Sequence, residues 1–141
     1  MTGIARVIDY ETTGTTEDEG AEVIEMARVD VVLHSKVIDN PWSSFVSPRS
    51  GEIPPTARAV HHISMDDVRG APIARDLWAD LYDGLGEDDY LVAHNAKFEQ
   101  HFHEGDGRRW IDTYKVARIV WPDAPGHTNQ VLRYWLGLPV T

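Results

Sequence analysis

The sequence predicts an α/β domain in which one mixed sheet carries helices on both faces. The N-terminal third holds three segments of β-branched, partly alternating residues joined by short turns, which indicates an antiparallel meander. Beyond this meander, helical and strand patterns alternate, as is typical of parallel strands added through helical crossovers. We therefore expect the first strand at the centre of the sheet, with the later strands beside it.

The individual elements follow from apolar periodicity and from turn and cap residues. Strands are predicted at residues 4–8, 23–32, 37–46, 90–93 and 110–111. The third strand is expected to be interrupted at Asp39-Asn40-Pro41, because a proline there indicates an edge strand or a bulge. Helices are predicted at 56–62, from Ser64 to about Gly70, from Pro72 through Leu81, from an Asn95 N-cap through Phe102, from 113 to about 121, and at 128–136.

Length and composition restrict the class of protein. The 141 residues are expected to form a single domain, with 42% hydrophobic and 26% charged residues. The chain has no cysteine, and we predict neither a secretory signal nor a membrane span, which favours a cytoplasmic protein. The net charge of −10 argues against a long basic surface for DNA, but it is compatible with an acidic metal site that holds one chain end.

Two carboxylates end the first strand. Asp9 and Glu11 are two residues apart, so on a strand they point to the same side of the sheet. Like charges at this spacing repel unless a cation lies between them, and Mg²⁺ and Mn²⁺ prefer carboxylate oxygens. Thr12, Thr13 and Gly14 then offer backbone N–H groups, small hydroxyls and one residue free to adopt positive φ. The alternative is a polar strand end that runs into an exposed turn.

Several segments resemble the motifs of one nuclease family. Residues 7–14 resemble the first motif of the DEDD 3′→5′ exonucleases, His subtype, which have a ribonuclease-H-like fold, and residues 91–99 resemble the second. Residues 23–29, 59–64 and 110–113 are similar to other family segments, in the same order. The exodeoxyribonuclease X branch looks most similar, on the basis of Asn40-Pro41, Ala117-Arg118, Trp121-Pro122 and Asn129.

The resemblance implies metal-dependent release of nucleoside monophosphates from a single-stranded 3′ end, with DNA favoured over RNA. Asp9, Glu11 and Glu99 would be the catalytic residues and would hold two Mg²⁺ or Mn²⁺ ions. The terminal nucleotide would contact Thr12, Thr13, Gly14, His61, His94, Asn95 and Phe98. The family contains many dimers, so the resemblance is compatible with a homodimer, and no membrane partner is implied.

The chain departs from the family pattern at two places. The second motif normally has Asp where this chain has Glu99, which carries its charge one methylene further out. The family also has a third motif on a last helix, a His followed five residues later by an Asp, and we expect both this helix and this motif to be missing from residues 1–141. His127 does not replace that His, because Leu132 stands five residues later. We therefore expect either a truncated form of a longer exonuclease or a degenerate member.

Two other functions are compatible with parts of the sequence. A catalytically incomplete module that binds a nucleic-acid end would retain metal binding without turnover. A phosphotransferase with an aspartyl nucleophile would account for Asp9, but such enzymes require Asp at the position of Glu11, and His94-Asn95-Ala96 would stay unexplained. An RNA-trimming exonuclease is a variant of the first prediction.

Overall fold

Five strands form one mixed sheet in the computed structural model, which describes residues 3–103 and 105–139. The strands are β1 (Ile4–Thr12), β2 (Val23–Val32), β3 (Val37–Phe45), β4 (Tyr90–Ala93) and β5 (Arg109–Asp112). Their spatial order is β3-β2-β1-β4-β5. The first three strands are antiparallel and the last two run parallel to β1. The predicted central position of the first strand is therefore confirmed.

Short helices surround this sheet. They are α1 (Pro55–His61), α2 (Met65–Val68), α3 (Trp78–Tyr82), α4 (Ala96–Phe102), α5 (Thr113–Val120) and α6 (Asn129–Trp135). Local sequence signals explain several starts: Pro55 occupies the first turn of α1, and Thr128 Oγ1 accepts the Val131 N–H at the start of α6. Among the described residues, no helix is long and apolar enough to cross a membrane.

The predicted helix from Pro72 is wrong in its first part. Residues Ala74–Asp76 form a single 3₁₀ turn, and α3 begins only at Trp78. The Pro72 carbonyl accepts the backbone N–H of Ser47 at 2.9 Å, so it is not available to the amide four residues later, and the chain stays extended. Leu77 and Leu81 are nevertheless buried, as their spacing predicts.

The edge position and the bulge predicted for the third strand at Asp39-Asn40-Pro41 are confirmed, although β3 continues through these residues. Its irregularity is a register shift against β2, between the partners of Arg28 and Asp30. β3 lies at the edge of the sheet, where Pro41 and the positive φ of Asn40 do not interrupt an inner ladder.

The core lies mainly on one face of the sheet, where α3 and α4 cover β1 and β2. Its buried centre consists of Ile8, Tyr10, Val23, Met26, Val46, Leu77, Leu81, Ala93 and Ala96. A buried ion pair closes the end of this layer away from Asp9: the Arg6 guanidinium donates to both oxygens of Asp30, at 2.6 and 2.9 Å. Arg6 also donates to the carbonyl of Leu81, at 3.0 Å, which joins the sheet to α3.

Candidate active site

Three acidic side chains converge where β1 ends. Asp9 and Glu11 project from the same face of β1, and Glu25 lies directly opposite Glu11 in the antiparallel ladder with β2. Opposed residues in such a pair have Cβ atoms about 5 Å apart, so the carboxylates repel each other. Burial and the charges of Asp9 and Glu25 raise the pKa of Glu11. Sequence reasoning assigned no site role to Glu25, because its partner on β1 depends on the register of the strands.

Glu99 completes the acidic cluster from α4. β4 runs parallel to β1 and ends beside it, so the helix that follows begins next to Asp9. Glu99 is only 2% exposed, which rules out the simple alternative of a solvated helix residue. Burial, with the negative charges of Asp9 and Asp112, raises the pKa of Glu99 to about 8. Loss of hydration likewise raises the pKa of Asp9, although the Tyr10 N–H and His94 oppose the shift.

This donor set suits a divalent cation in its chemistry. The carboxylates are hard oxygen ligands, and they are crowded enough that burial and mutual repulsion favour their protonated forms. Within the described parts of the chain, no three acidic or histidine side chains already surround a single point in metal-binding geometry. The fit to a cation therefore rests on the chemistry of the carboxylates and on their raised pKa values.

A cavity of about 270 Å³ opens beside Glu11, between the end of β1, α1 and α4. Its lining includes Glu11, predicted as a metal ligand, together with Thr12, Gly14, His61 and Phe98, predicted to contact the terminal nucleotide. Other parts of the lining were not foreseen, namely Tyr10, Thr15, Asp18, Thr56, Ala57 and Val60. A larger cavity of about 400 Å³ lies near Trp78 and Phe102, but none of the four clustered acids lines it, so we assign the chemistry to the smaller one.

A glycine is needed at position 14 for a different reason from the one predicted. Its φ is not positive. A Cβ at this position would instead lie 2.7 Å from Asp18 Oδ2, which itself accepts the backbone N–H of Thr15 at 2.6 Å. Gly14 therefore allows the acidic loop to fold back over the strand end. Thr12 Oγ1 donates to the Gly14 carbonyl, while the backbone N–H and Oγ1 of Thr13 bind Glu22, so Thr13 is not in the cavity lining.

The two site histidines are held through both ring nitrogens. His61 Nδ1 accepts the Ile63 N–H at 3.0 Å, so its proton is on Nε2, which donates to the Thr12 carbonyl at 3.1 Å. His94 Nε2 donates to the carbonyl of His127, and its Nδ1 lies 2.9 Å from Thr113 Oγ1. His61 lines the cavity and His94 does not. Neither ring has a free nitrogen for proton transfer in this arrangement.

Asn95 stands at the predicted N-cap, but its side chain does not cap α4. The residue adopts a left-handed conformation with φ 75°, and no side-chain hydrogen bond is made to the helix. The carboxylate of Asp112 caps α4 instead, because it accepts the backbone N–H groups of both Asn95 and Ala96 at 3.1 Å. Nothing local in the sequence identifies this cap, since its acceptor lies 17 residues away.

Comparison with known proteins identifies the family. The family model for exonucleases named RNase_T matches residues 7–139. The chain belongs to this exonuclease family. The resemblance to DEDD exonucleases inferred from the motifs is therefore confirmed.

Individual relatives agree with this membership. The chain is 36% identical over 117 residues to exodeoxyribonuclease 10 of Escherichia coli K12, covering 83% of this chain and 48% of that protein. It is 30% identical to a DNA polymerase III subunit epsilon-like protein of Rhodobacter capsulatus, covering 95% of this chain and 20% of that protein. The chain thus spans about half the length of the first relative and a fifth of the second.

Solved structures confirm the ribonuclease-H-like fold. The structure of "Exonuclease X in complex with 5′ overhanging duplex DNA" superposes with a TM-score of 0.79 and 34% identity, over 97% of this chain and 75% of that one. A 3′-exonuclease that recognises a histone mRNA stem-loop superposes with a TM-score of 0.78 but only 17% identity, over 99% of this chain and 72% of that one. The second likeness concerns the fold alone.

Proposed function

We propose that this exonuclease is a metal-dependent 3′→5′ enzyme that releases nucleoside monophosphates, with DNA favoured over RNA. The observation that carries the proposal is the proximity of Asp9 to both Glu11 and Glu99, whose pKa values are raised by burial and by the charge of Asp9, with Glu11 lining a cavity that Phe98 also lines. A 5′-overhanging duplex, bound by the neighbour that is 34% identical, presents a recessed 3′ end. This supports both the DNA substrate and the direction.

Each acid would have a separate role. Asp9, between Glu11 on its own strand and Glu99 on α4, would be shared between two Mg²⁺ or Mn²⁺ ions. Glu11 lines the cavity and would also orient the terminal 3′-hydroxyl. Glu99 would support the second ion, and its extra methylene would carry the carboxylate further from α4 than an aspartate would. When bound, the ions would supply an activated water and stabilise the leaving oxygen.

The cavity would hold the terminal nucleotide without reading its base. Phe98 offers a ring face at one wall, and Val60, which is 77% exposed, offers an apolar rim on α1. Recognition of single-strand ends depends on such stacking together with backbone contacts. The His61 ring would hold the strand end in place through its bond to the Thr12 carbonyl, rather than exchange protons with the substrate.

The decisive experiment is digestion of a 3′-labelled single-stranded DNA in Mn²⁺. The 141-residue chain, its Asp9→Asn variant and a longer chain from the same reading frame would be compared, with exposed Asp66→Asn as the matched control. We expect monophosphate release that requires Asp9 and is unaffected at Asp66. Release from a 5′-labelled end alone, or equal release by the Asp9 variant, would contradict the proposal.

One observation favours a second function, an incomplete module that binds a nucleic-acid end. Among the described residues, the histidines at the site are His61 and His94, and all four of their ring nitrogens make hydrogen bonds. Neither is free to act as general base. The same digestion separates the two functions: release by neither the 141-residue chain nor the longer one, with Mn²⁺ and a labelled 3′ end still bound, identifies the binding module, whereas release by the longer chain only places the general base in the additional segment.

A further inference from the structure

We infer that Asp112 is a positioning residue for the metal site, because it fixes the place from which Glu99 reaches the other acids. The inference rests on the proposed function and adds to it a residue that touches neither the cavity nor the three proposed ligands. Asp112 ends β5 and comes before α5, so its local task is to begin that helix. Its position on the outer parallel strand also brings it next to the start of α4.

The carboxylate of Asp112 joins the first turns of two helices. Oδ1 accepts the N–H groups of Tyr114 at 2.9 Å, Lys115 at 3.3 Å and Asn95 at 3.1 Å. Oδ2 accepts one N–H, that of Ala96 at 3.1 Å. The first two bonds cap α5, which needs no distant partner. The other two hold α4, whose own N-cap residue makes no side-chain cap bond.

The α4 start needs this external support. Asn95 has φ 75°, a conformation that is uncommon for residues other than glycine and that persists only when the surroundings hold it. Glu99 follows one helical turn later, so a rotation or shift of the first turn moves its carboxylate directly. Since Glu99 is 2% exposed and confined by packing, its reach toward Asp9 is set by the backbone rather than by side-chain freedom. Groups that orient metal ligands in this indirect way typically change metal affinity by 10–100-fold when removed.

Because Oδ2 accepts only the Ala96 N–H, a substitution that changes this oxygen alone tests the contact with α4. Asp112→Asn keeps an oxygen for the bonds from Asn95 and α5 and places an amide N–H₂ opposite the Ala96 N–H, so it removes one of the two bonds that hold α4 while leaving the α5 cap intact. The matched control is Asp89→Asn. Asp89 likewise accepts N–H groups from two segments, Ile4 of β1 at 2.8 Å and Gly86 of the loop before β4 at 2.7 Å, but it lies at the opposite end of β1.

The test measures Mn²⁺ affinity by titration, without turnover, at low and high KCl. We expect Asp112→Asn to weaken Mn²⁺ binding about tenfold at both salt concentrations, with Asp89→Asn unchanged. Equal affinities for both variants would overturn the inference. So would a loss that vanishes at high salt, because that would be the effect of removing a charge rather than of moving Glu99.

A second measurement keeps the inference separate from the proposed function. Amide spectra of ¹⁵N-labelled protein without metal should show larger displacements for Ala96 to Glu99 in Asp112→Asn than for Tyr114 and Lys115, which keep an acceptor oxygen. If the unsubstituted chain binds no Mn²⁺, the proposed function fails, and these spectra alone decide whether Asp112 positions Glu99. Unmoved Ala96–Glu99 resonances would overturn the inference in that case as well.

Discussion

The carboxylates of this member of the exonuclease family fall into two groups that differ in what surrounds their oxygens. Asp30 and Asp112 receive donors: a guanidinium and an amide in the first case, four backbone N–H groups in the second. Burial alone would raise the pKa of each, but these donors outweigh it and hold both pKa values below the ordinary one. Their charge therefore stabilises the fold.

The acids at the end of β1 show the opposite behaviour. Burial together with neighbouring negative charge raises the pKa of Glu11, Glu25 and Glu99. Their charges therefore destabilise the fold until a cation is present. The difference teaches that charge alone does not distinguish a structural acid from a functional one, whereas the donors around it do.

The largest expected effect comes from the Arg6→Met substitution, which removes the ion-pair partner of Asp30. Arg6 is 1% exposed and donates to both oxygens of Asp30, so the substitution leaves a buried carboxylate without its cation. We expect the free energy of unfolding to fall by about 3–5 kcal/mol, measured by urea denaturation. The Arg6→Met/Asp30→Leu double variant should recover most of the loss. A loss below about 1 kcal/mol, as at a surface pair, would contradict this account.

The functional group should respond in the opposite direction when Glu99 becomes Gln. Glu99 has a pKa of about 8 in the fold against an ordinary 4.5, so its environment opposes the charged form. We expect Glu99→Gln to have a higher free energy of unfolding than the original chain, by roughly 2 kcal/mol at pH 7 in EDTA. We also expect it to bind Mn²⁺ more weakly. Glu19→Gln, on the exposed acidic loop, is the control and should change neither quantity. A destabilised Glu99→Gln would place Glu99 in the structural group.

The two groups were not equally visible in the sequence. Asp9 and Glu11 could be found because both belong to one strand, whose alternation alone places them on one side. Glu99 could be placed on α4 from Phe98 and Phe102 at helical spacing, and from the family motif. These signals are local, and local periodicity also predicted the five strands and most of the helices.

What the sequence left hidden depends on pairing between distant segments. Glu25 joins the site only through its register with Glu11, and Asp112 caps α4 from another strand. Asn95 was expected to cap α4 by its side chain, but its left-handed backbone is held by that distant carboxylate. Similarly, the Ser47–Pro72 bond replaces part of a helix that its own sequence favours. A propensity describes a segment alone, and each of these residues is controlled by a partner outside its segment.

A pH titration of stability should separate the two groups in one experiment. Because Glu99 has a raised pKa, the folded state binds more protons than the unfolded state between pH 4.5 and about 8, so stability falls as pH rises through this window. Asp30 and Asp112 act in reverse, and their contribution is lost as pH falls below their ordinary value of 3.8. In EDTA, we expect maximum stability at about pH 5 and a decline of about 1 kcal/mol per pH unit on the alkaline side. Mn²⁺ should flatten this decline, and a rise in stability from pH 5 to 8 in EDTA would contradict it.

The smallest expected effect concerns Asp18. Like Asp30 and Asp112, it accepts hydrogen bonds, but it also lines the proposed nucleotide cavity. Hydrogen bonds from the backbone N–H and the hydroxyl of Thr15 lower the pKa of Asp18. In Gly14→Ala, the new Cβ would lie 2.7 Å from Asp18 Oδ2, so the carboxylate must leave these donors and turn toward the cavity. We expect a melting temperature lower by about 2 °C and weaker binding of thymidine monophosphate in Ca²⁺, because a displaced anion would meet the nucleotide phosphate. The Gly14→Ala/Asp18→Ala double variant should restore nucleotide binding, since it removes both the clash and the charge. If the double variant stays as weak as Gly14→Ala, the loop conformation itself, rather than the position of the Asp18 carboxylate, controls access to the cavity.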